Sequence, residues 1–82
     1  MKVAILGSRR MVTGLLLGGI HMGYICENAQ ESQAHLEACM KNPDIGIILV
    51  SNTVASMIPE QIHRIKMSPN LVPIISVIPE SG

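Results

Sequence analysis

Residues 45–50 read Ile-Gly-Ile-Ile-Leu-Val. This stretch is a short, continuous apolar run, which is typical of a parallel strand that is buried on both faces of a sheet. Asn42-Pro43-Asp44 breaks the chain just before it, and Ser51 or Asn52 can cap a helix just after it. We therefore expect a central strand that leads directly into a helix.

Three other apolar stretches, residues 2–7, 24–26 and 73–78, are predicted to be strands. They alternate with helical patterns, so the chain reads β-α-β-α-β-α-β, which is typical of a parallel sheet with helices on both faces. Right-handed crossovers favour the strand order 2-1-3-4, the topology of flavodoxin and of phosphoreceiver domains. We expect the last strand to be an exposed edge that a partner covers. The most buried residues are predicted to include Ile5, Ile47, Leu49 and Ile75.

The first two helices are predicted over residues 11–21 and 30–41. Apolar residues recur at helical spacing in the first, and its glycines, which each cost about 0.8–1 kcal/mol relative to Ala, suggest close packing against another element. Asn28 can cap the second helix. The predicted inner face of the second helix is Ala29, Gln33, Leu36, Cys39 and Met40.

A third helix is predicted from Ser51 or Asn52 to about residue 68. Pro59 falls inside this pattern, so it either kinks the helix or restarts it as a first-turn residue. The inward positions are Val54, Ile58, Ile62 and Ile65.

Composition excludes several classes of function. The 82 residues form one predicted domain (1–82), 48% apolar, with zero net charge and a single aromatic residue of the Phe, Tyr and Trp class. With no basic stripe and no stacking aromatics, nucleic-acid binding is not expected. No apolar run is long enough to insert into a membrane, and the N-terminus does not resemble a signal peptide. Cys26 and Cys39 are expected to be reduced thiols in the cytoplasm.

No pattern of catalytic, cofactor-binding or metal-ligating residues emerges. Gly7-Ser8-Arg9-Arg10 lies where doubly wound folds bind ligands, but it lacks both glycine-rich phosphate-binding patterns, so ATP and ADP are expected to bind no tighter than millimolar. The carboxylates of a phosphoreceiver are missing after strands 1 and 3. His21, His35 and His63 are scattered and read as surface residues, and the two cysteines fall on core positions where thiols are inert.

Residues 11–20, Met-Val-Thr-Gly-Leu-Leu-Leu-Gly-Gly-Ile, resemble the segment that opens the first helix of the F subunit in the central stalk of V-type and A-type rotary ATPases. Residues 3–7, 44–50, 58–62 and 72–79 resemble further segments of the same family, in the same order. Three departures stand out. Ser8 replaces a usually acidic residue, and Leu15 replaces a Phe. Family members also continue past the position of Gly82 into a C-terminal helix, which we expect the domain to lack.

The resemblance implies a non-catalytic rotor subunit without a cofactor. Such a subunit binds the coiled-coil shaft, which is the D subunit of the ATPase, and through it the catalytic A/B ring and the membrane ring. It helps to couple ATP hydrolysis or synthesis to ion (proton) transport. It would lie on the cytoplasmic face of a membrane-bound complex. The partner surface is expected to include the loop after strand 1 and the chain end: Arg9, Arg10, Met11, Thr13, Pro79 and Glu80.

Two alternatives stay open at this point. One is a stand-alone interaction or regulatory module of flavodoxin-like topology. The other is a small enzyme or ligand-binding domain that uses the loop after strand 1.

Overall fold

The computed structural model describes residues 2–69 and 73–80, and the chain end at Gly82 lies outside this part. Strands and helices alternate along the described residues, except that two short helices follow one another before the last strand. The elements are β1 (Lys2–Gly7), α1 (Arg9–Leu17), β2 (Met22–Ile25), α2 (Ala29–Lys41), β3 (Ile45–Ser51), α3 (Asn52–Met57), α4 (Pro59–Lys66) and β4 (Ile74–Ile78).

The four strands form one parallel sheet in the order β2-β1-β3-β4, which confirms the predicted topology. β1 and β3 lie in the centre, and their register pairs Ala4 with Ile48 and Leu6 with Val50. β4 is an edge strand, as expected, and its Ile74 is 57% exposed. Because side chains alternate along a strand, this register sorts the apolar residues of the sheet into two faces.

One face carries the hydrophobic core. We call it the covered face, and it includes Ala4, Leu6, Ile48 and Val50, all fully buried. These side chains form one cluster with residues of α2, α3 and α4 and of the adjoining loops: Cys26, Leu36, Cys39, Val54, Ile58 and Ile62. Three helices therefore cover this side of the sheet.

The opposite face is covered far less. We call it the open face, and it includes Val3, Ile5, Ile47 and Leu49, which lie on the other side of β1 and β3. α1 packs on this face, mainly over β1 and β2. Of the four residues only Ile5 is buried. The part of the open face above β3 and β4 consequently remains accessible.

The predicted set of most buried residues is therefore correct for Ile5 and wrong for Ile47, Leu49 and Ile75, which are only partly buried. Ile47 and Leu49 lie on the open face, beyond the reach of α1. Ile75 points to the covered face but belongs to the edge strand. On β3 the fully buried apolar side chains are instead Ile45, Ile48 and Val50.

α1 is shorter than predicted and begins earlier, since it spans Arg9–Leu17 and not residues 11–21. Ser8 caps its start by accepting a hydrogen bond from the Met11 N–H at 3.3 Å. Gly18 ends the helix, and Gly19 adopts φ +108°, a conformation that only glycine takes readily. These two glycines are therefore turn residues, and they do not mark close helix packing.

The remaining helices follow the sequence more closely. Asn28 caps α2 through the Glu31 N–H (2.8 Å) and Ser51 caps α3 through the Val54 N–H (3.1 Å). Pro59 restarts the chain as the first residue of α4. The inner face of α2 differs in part from the prediction. Leu36 and Cys39 are buried as predicted, and Ser32 is buried as well. Ala29 and Gln33, which were predicted to face inward, are exposed.

Two glycines on either side of the α1 interface give a test of this packing. A β-carbon at Gly23 of β2 would lie 2.5 Å from Cγ1 of Val12, whereas one at Gly14 of α1 would meet nothing within 4 Å. We expect Gly23→Ala to lower the free energy of unfolding by about 1–3 kcal/mol through overpacking. Gly14→Ala should raise it by about 0.8–1 kcal/mol, because alanine favours the helix.

Urea unfolding followed by circular dichroism measures both changes. Equal and small effects of the two substitutions would show that α1 does not pack on β2 in this way.

Candidate partner-binding groove

A groove of about 360 Å³ lies where α1 passes the end of β4. It sits beside the carboxyl ends of the parallel strands, the edge at which doubly wound folds place their binding sites. Residues from both ends of the described chain line it: Ser8, Arg10, Met11, Gly14, Leu15, Ile78, Pro79 and Glu80. The partly covered open face thus ends in a concave surface.

The α1 side of the groove is shaped by one missing side chain. Gly14 is exposed, and the space where its β-carbon would project is empty. Leu15 and Met11, both half-buried, flank this gap with apolar surface. An element that docks here could approach the α1 backbone closely at Gly14, in the way that small residues allow helices to pack.

The positive charge at the groove comes from Arg10. Arg9, beside it, pairs with Glu27 at 3.8 Å, and both of these side chains are largely exposed. Arg10 makes no ion pair with any residue in the described ranges 2–69 and 73–80. The groove therefore presents an apolar floor with one unpaired cation, which suits a partner that offers apolar side chains and a carboxylate.

The end of the chain closes the groove on its other side. The Glu80 carboxylate accepts hydrogen bonds from the Ser8 hydroxyl and from the Ser8 N–H, the latter at 3.4 Å. The Glu80 N–H donates to Oδ1 of Asn52 at 3.1 Å. Hydrogen bonding, first of all to Ser8 and then to Thr53, lowers the pKa of the Glu80 carboxyl below its ordinary value.

Four of the six residues predicted at the partner surface, Arg10, Met11, Pro79 and Glu80, line this one groove. The other two lie on α1 outside it: Arg9 faces Glu27, and Thr13 is exposed. The other four lining residues, Ser8, Gly14, Leu15 and Ile78, were not among the predicted partner residues. The helical spacing of Leu15 from Met11 was a usable signal, whereas the approach of Ile78 depends on how α1 crosses the sheet.

The titratable side chains elsewhere do not assemble into a chemical site. Among residues 2–69 and 73–80, no group of three or more His, Cys, Asp or Glu side chains could hold a metal ion. His21 and His63 are exposed as expected, but His35 is half-buried with its ring 5.2 Å from that of Tyr24. Nor does any helix within the described ranges have the length and apolar character needed to cross a membrane.

Both cysteines are free and buried. Cys39 lies on the inner side of α2, and Cys26 belongs to the same core cluster. Burial is the main cause that raises the pKa of the Cys39 thiol to about 11, and burial also raises the pKa of Cys26. Both thiols therefore stay protonated at neutral pH, which is the opposite of what a nucleophile or a metal ligand needs.

Residues 3–82 match the family described as ATP synthase (F/14-kDa) subunit. The chain belongs to this family. The match runs through every strand and helix described above, and the groove residues at both ends of the chain fall within it.

Two relatives are named as the F subunit of an A-type ATP synthase. The protein from Methanosarcina acetivorans is 30% identical over 64 residues, which are 78% of this chain and 63% of that protein. The protein from Methanothermobacter thermautotrophicus is 29% identical over 81 residues, which are 99% of this chain and 76% of that protein. The chain thus spans less than two thirds of the length of the first relative and about three quarters of the second.

The thiols of this member of the ATP synthase family give a test of its packing. At pH 8 a pKa of about 11 in place of the ordinary 9.0 lowers the thiolate fraction of Cys39 about 100-fold. We expect the folded protein to react with Ellman's reagent at least about 100-fold more slowly at Cys39 than the protein unfolded in guanidinium. Rapid reaction of both thiols in the folded state would contradict the burial of this cluster.

The raised pKa of Cys39 also predicts how the stability of the fold changes with pH. Because the folded pKa of Cys39 is raised, the thiol contributes its full stabilisation below pH 9 and loses it as the pH rises toward about 11.

Proposed function

We propose that this chain is a non-catalytic rotor subunit in the central stalk of an A-type or V-type ATPase, where it binds the coiled-coil shaft formed by the D subunit. Through the shaft it contacts the catalytic A/B ring and the membrane ring indirectly, and it helps to couple ATP hydrolysis or synthesis to ion (proton) transport. It works at the cytoplasmic face of the membrane as a peripheral component.

The observation that carries the proposal is the groove between α1 and the end of β4. It combines an apolar floor, a helix backbone accessible at Gly14 and the unpaired cation Arg10. An amphipathic helix binds such a surface by laying its apolar stripe along the groove. One helix of a coiled-coil shaft, with a carboxylate near Arg10, has this chemistry.

A non-catalytic role agrees with the rest of the described surface. The two thiols are held protonated in the core, where they supply neither a nucleophile nor a metal ligand. What the domain offers a partner is shape, apolar area and a fixed charge, which are the requirements of a rigid structural subunit.

Binding of the isolated chain to the purified D subunit, measured by isothermal titration calorimetry, tests the proposal directly. A pull-down from native membranes should recover the shaft and the catalytic ring. If the chain captures neither, it is a stand-alone interaction module, which was the second hypothesis from the sequence. If it binds ATP or ADP with micromolar affinity, the result supports the other hypothesis, a small enzyme or ligand-binding domain that uses the loop after β1.

Charge reversal separates the two arginines. We expect Arg10→Glu to weaken binding to the shaft by about 1 kcal/mol, roughly fivefold, because it places a carboxylate beside the one on the partner. Arg9→Glu should have a smaller effect, since Arg9 faces Glu27 away from the groove. The double reversal should weaken binding without changing the circular dichroism spectrum, and unchanged affinity would rule this loop out of the interface.

Filling the gap at Gly14 tests the groove itself. Gly14→Gln places a long, helix-favouring side chain in the empty space, so we expect affinity for the shaft to fall at least about tenfold with no loss of stability. Ala38→Gln is the matched control, because Ala38 is exposed in α2 on the opposite side of the sheet. Equal effects of the two substitutions would show that the partner binds elsewhere.

A further inference from the structure

Glu80 makes contacts that the sequence gives no reason to expect. Its carboxylate accepts from both the hydroxyl and the N–H of Ser8, 72 residues earlier in the chain. Its own N–H donates to the side chain of Asn52 at 3.1 Å. Glu80, the second residue after β4, is therefore hydrogen-bonded to the segments that follow β1 and β3.

The two attachment points are the starts of helices. Ser8 caps α1, and its hydroxyl is used in both directions, since it donates to Glu80 and accepts from the Met11 N–H. Asn52 is the first residue of α3. The starts of helices carry partial positive charge, so a carboxylate is stabilised there. The usual ligand edge of this fold is thus occupied by a side chain of the protein itself.

We propose that Ser8, Asn52 and Glu80 form an internal clasp that fixes the direction in which the chain leaves β4 and holds one side of the groove in place. Glu80 is a positioning residue in this arrangement. Ser8 and Glu80 both line the groove, so opening the clasp would change its shape. The consequence for partner binding, though not the clasp itself, rests on the proposed function.

The charges around Glu80 are few. α3 contains no charged residue, and neither do β3 and β4. α1 contributes Arg9, which pairs with Glu27, and Arg10, which lines the same groove as Glu80. The hydrogen bonds from Ser8 are therefore the principal interactions that favour the ionised carboxylate.

The clasp should consequently depend on pH with a definite sign. The folded pKa of Glu80 lies below its ordinary value of 4.5. Ionisation of Glu80 therefore stabilises the folded state above that value, and this contribution is lost as the pH falls through the lowered folded pKa.

Substitutions at Ser8 can separate the clasp from the helix cap. Aspartate caps a helix about as well as serine, but Ser8→Asp sets a second carboxylate beside Glu80 and should repel it. Asparagine is an equally good cap that is neutral and can still donate a hydrogen bond, so Ser8→Asn is the matched control. Glu37→Gln is the matched control for Glu80→Gln, because it also removes one carboxylate. Glu37 is exposed in the middle of α2.

The measurement is the carboxyl titration of Glu80 by ¹³C NMR in the isolated chain, together with nuclear Overhauser contacts from residue 80 to residues 8 and 52. We expect a lowered pKa and both sets of contacts in the wild type and in Ser8→Asn. Ser8→Asp should raise the pKa of Glu80 above its wild-type value and remove the contacts, with α1 intact by circular dichroism. A Glu80 pKa and contacts that are unchanged by Ser8→Asp would overturn the clasp.

Titration with the purified D subunit then distinguishes the two proposals. If the clasp is present and holds the groove, Ser8→Asp and Glu80→Gln should weaken binding at least fivefold, whereas Glu37→Gln should not. If wild-type protein fails to bind the shaft while the NMR result stands, the proposed function is wrong and the clasp is retained. If binding is tight but unaffected by opening the clasp, its role at the groove is refuted.

Discussion

The core and the groove both follow from the parallel pairing of β1 with β3 in the centre of the sheet. This pairing aligns Ala4 and Leu6 with Ile48 and Val50, and these four side chains form the middle of the core beneath α2, α3 and α4. A domain of this size has few apolar side chains with which to build a core, and its main buried cluster lies on this one face. Of the described helices only α1 packs on the opposite face, and that imbalance creates the accessible surface.

The groove follows from the same imbalance. α1 lies over β1 and β2, so the end of β4 stands beside it with a gap between them. Gly14 widens the gap on the helix side, and Arg10, which forms no ion pair with any described residue, places a positive charge at its border. A surface of this kind is costly for a protein that works alone, because it leaves apolar side chains in water. Under the proposed function, a partner subunit completes the burial of these side chains.

The contacts of Glu80 show how local and distant parts of the chain combine at this site. Ser8 would cap α1 in any context, because its hydroxyl needs only the start of the helix. Through the parallel sheet, the carboxyl ends of β1, β3 and β4 meet at one edge, and this places Glu80 within reach of Ser8 and Asn52. A carboxylate in that position satisfies donors that a fold of this type commonly offers to a phosphate-bearing ligand.

The amino-acid sequence was enough to predict the α/β class, the strand order and the cap at Asn28, because these depend on the chemistry of neighbouring residues and on the handedness of crossovers. It left open whether Ser51 or Asn52 caps α3 and whether Pro59 kinks the third helix or starts a new one. It also predicted a partner surface of Arg9, Arg10, Met11, Thr13, Pro79 and Glu80, and four of these six residues line the groove. Only the tertiary structure decided that Ile47 and Leu49 are half-exposed, that Arg9 faces Glu27, and that Glu80 contacts Ser8. Apolar runs of a central strand look the same whether one helix or three cover the sheet, since coverage is set by where distant helices cross and not by the strand's own residues.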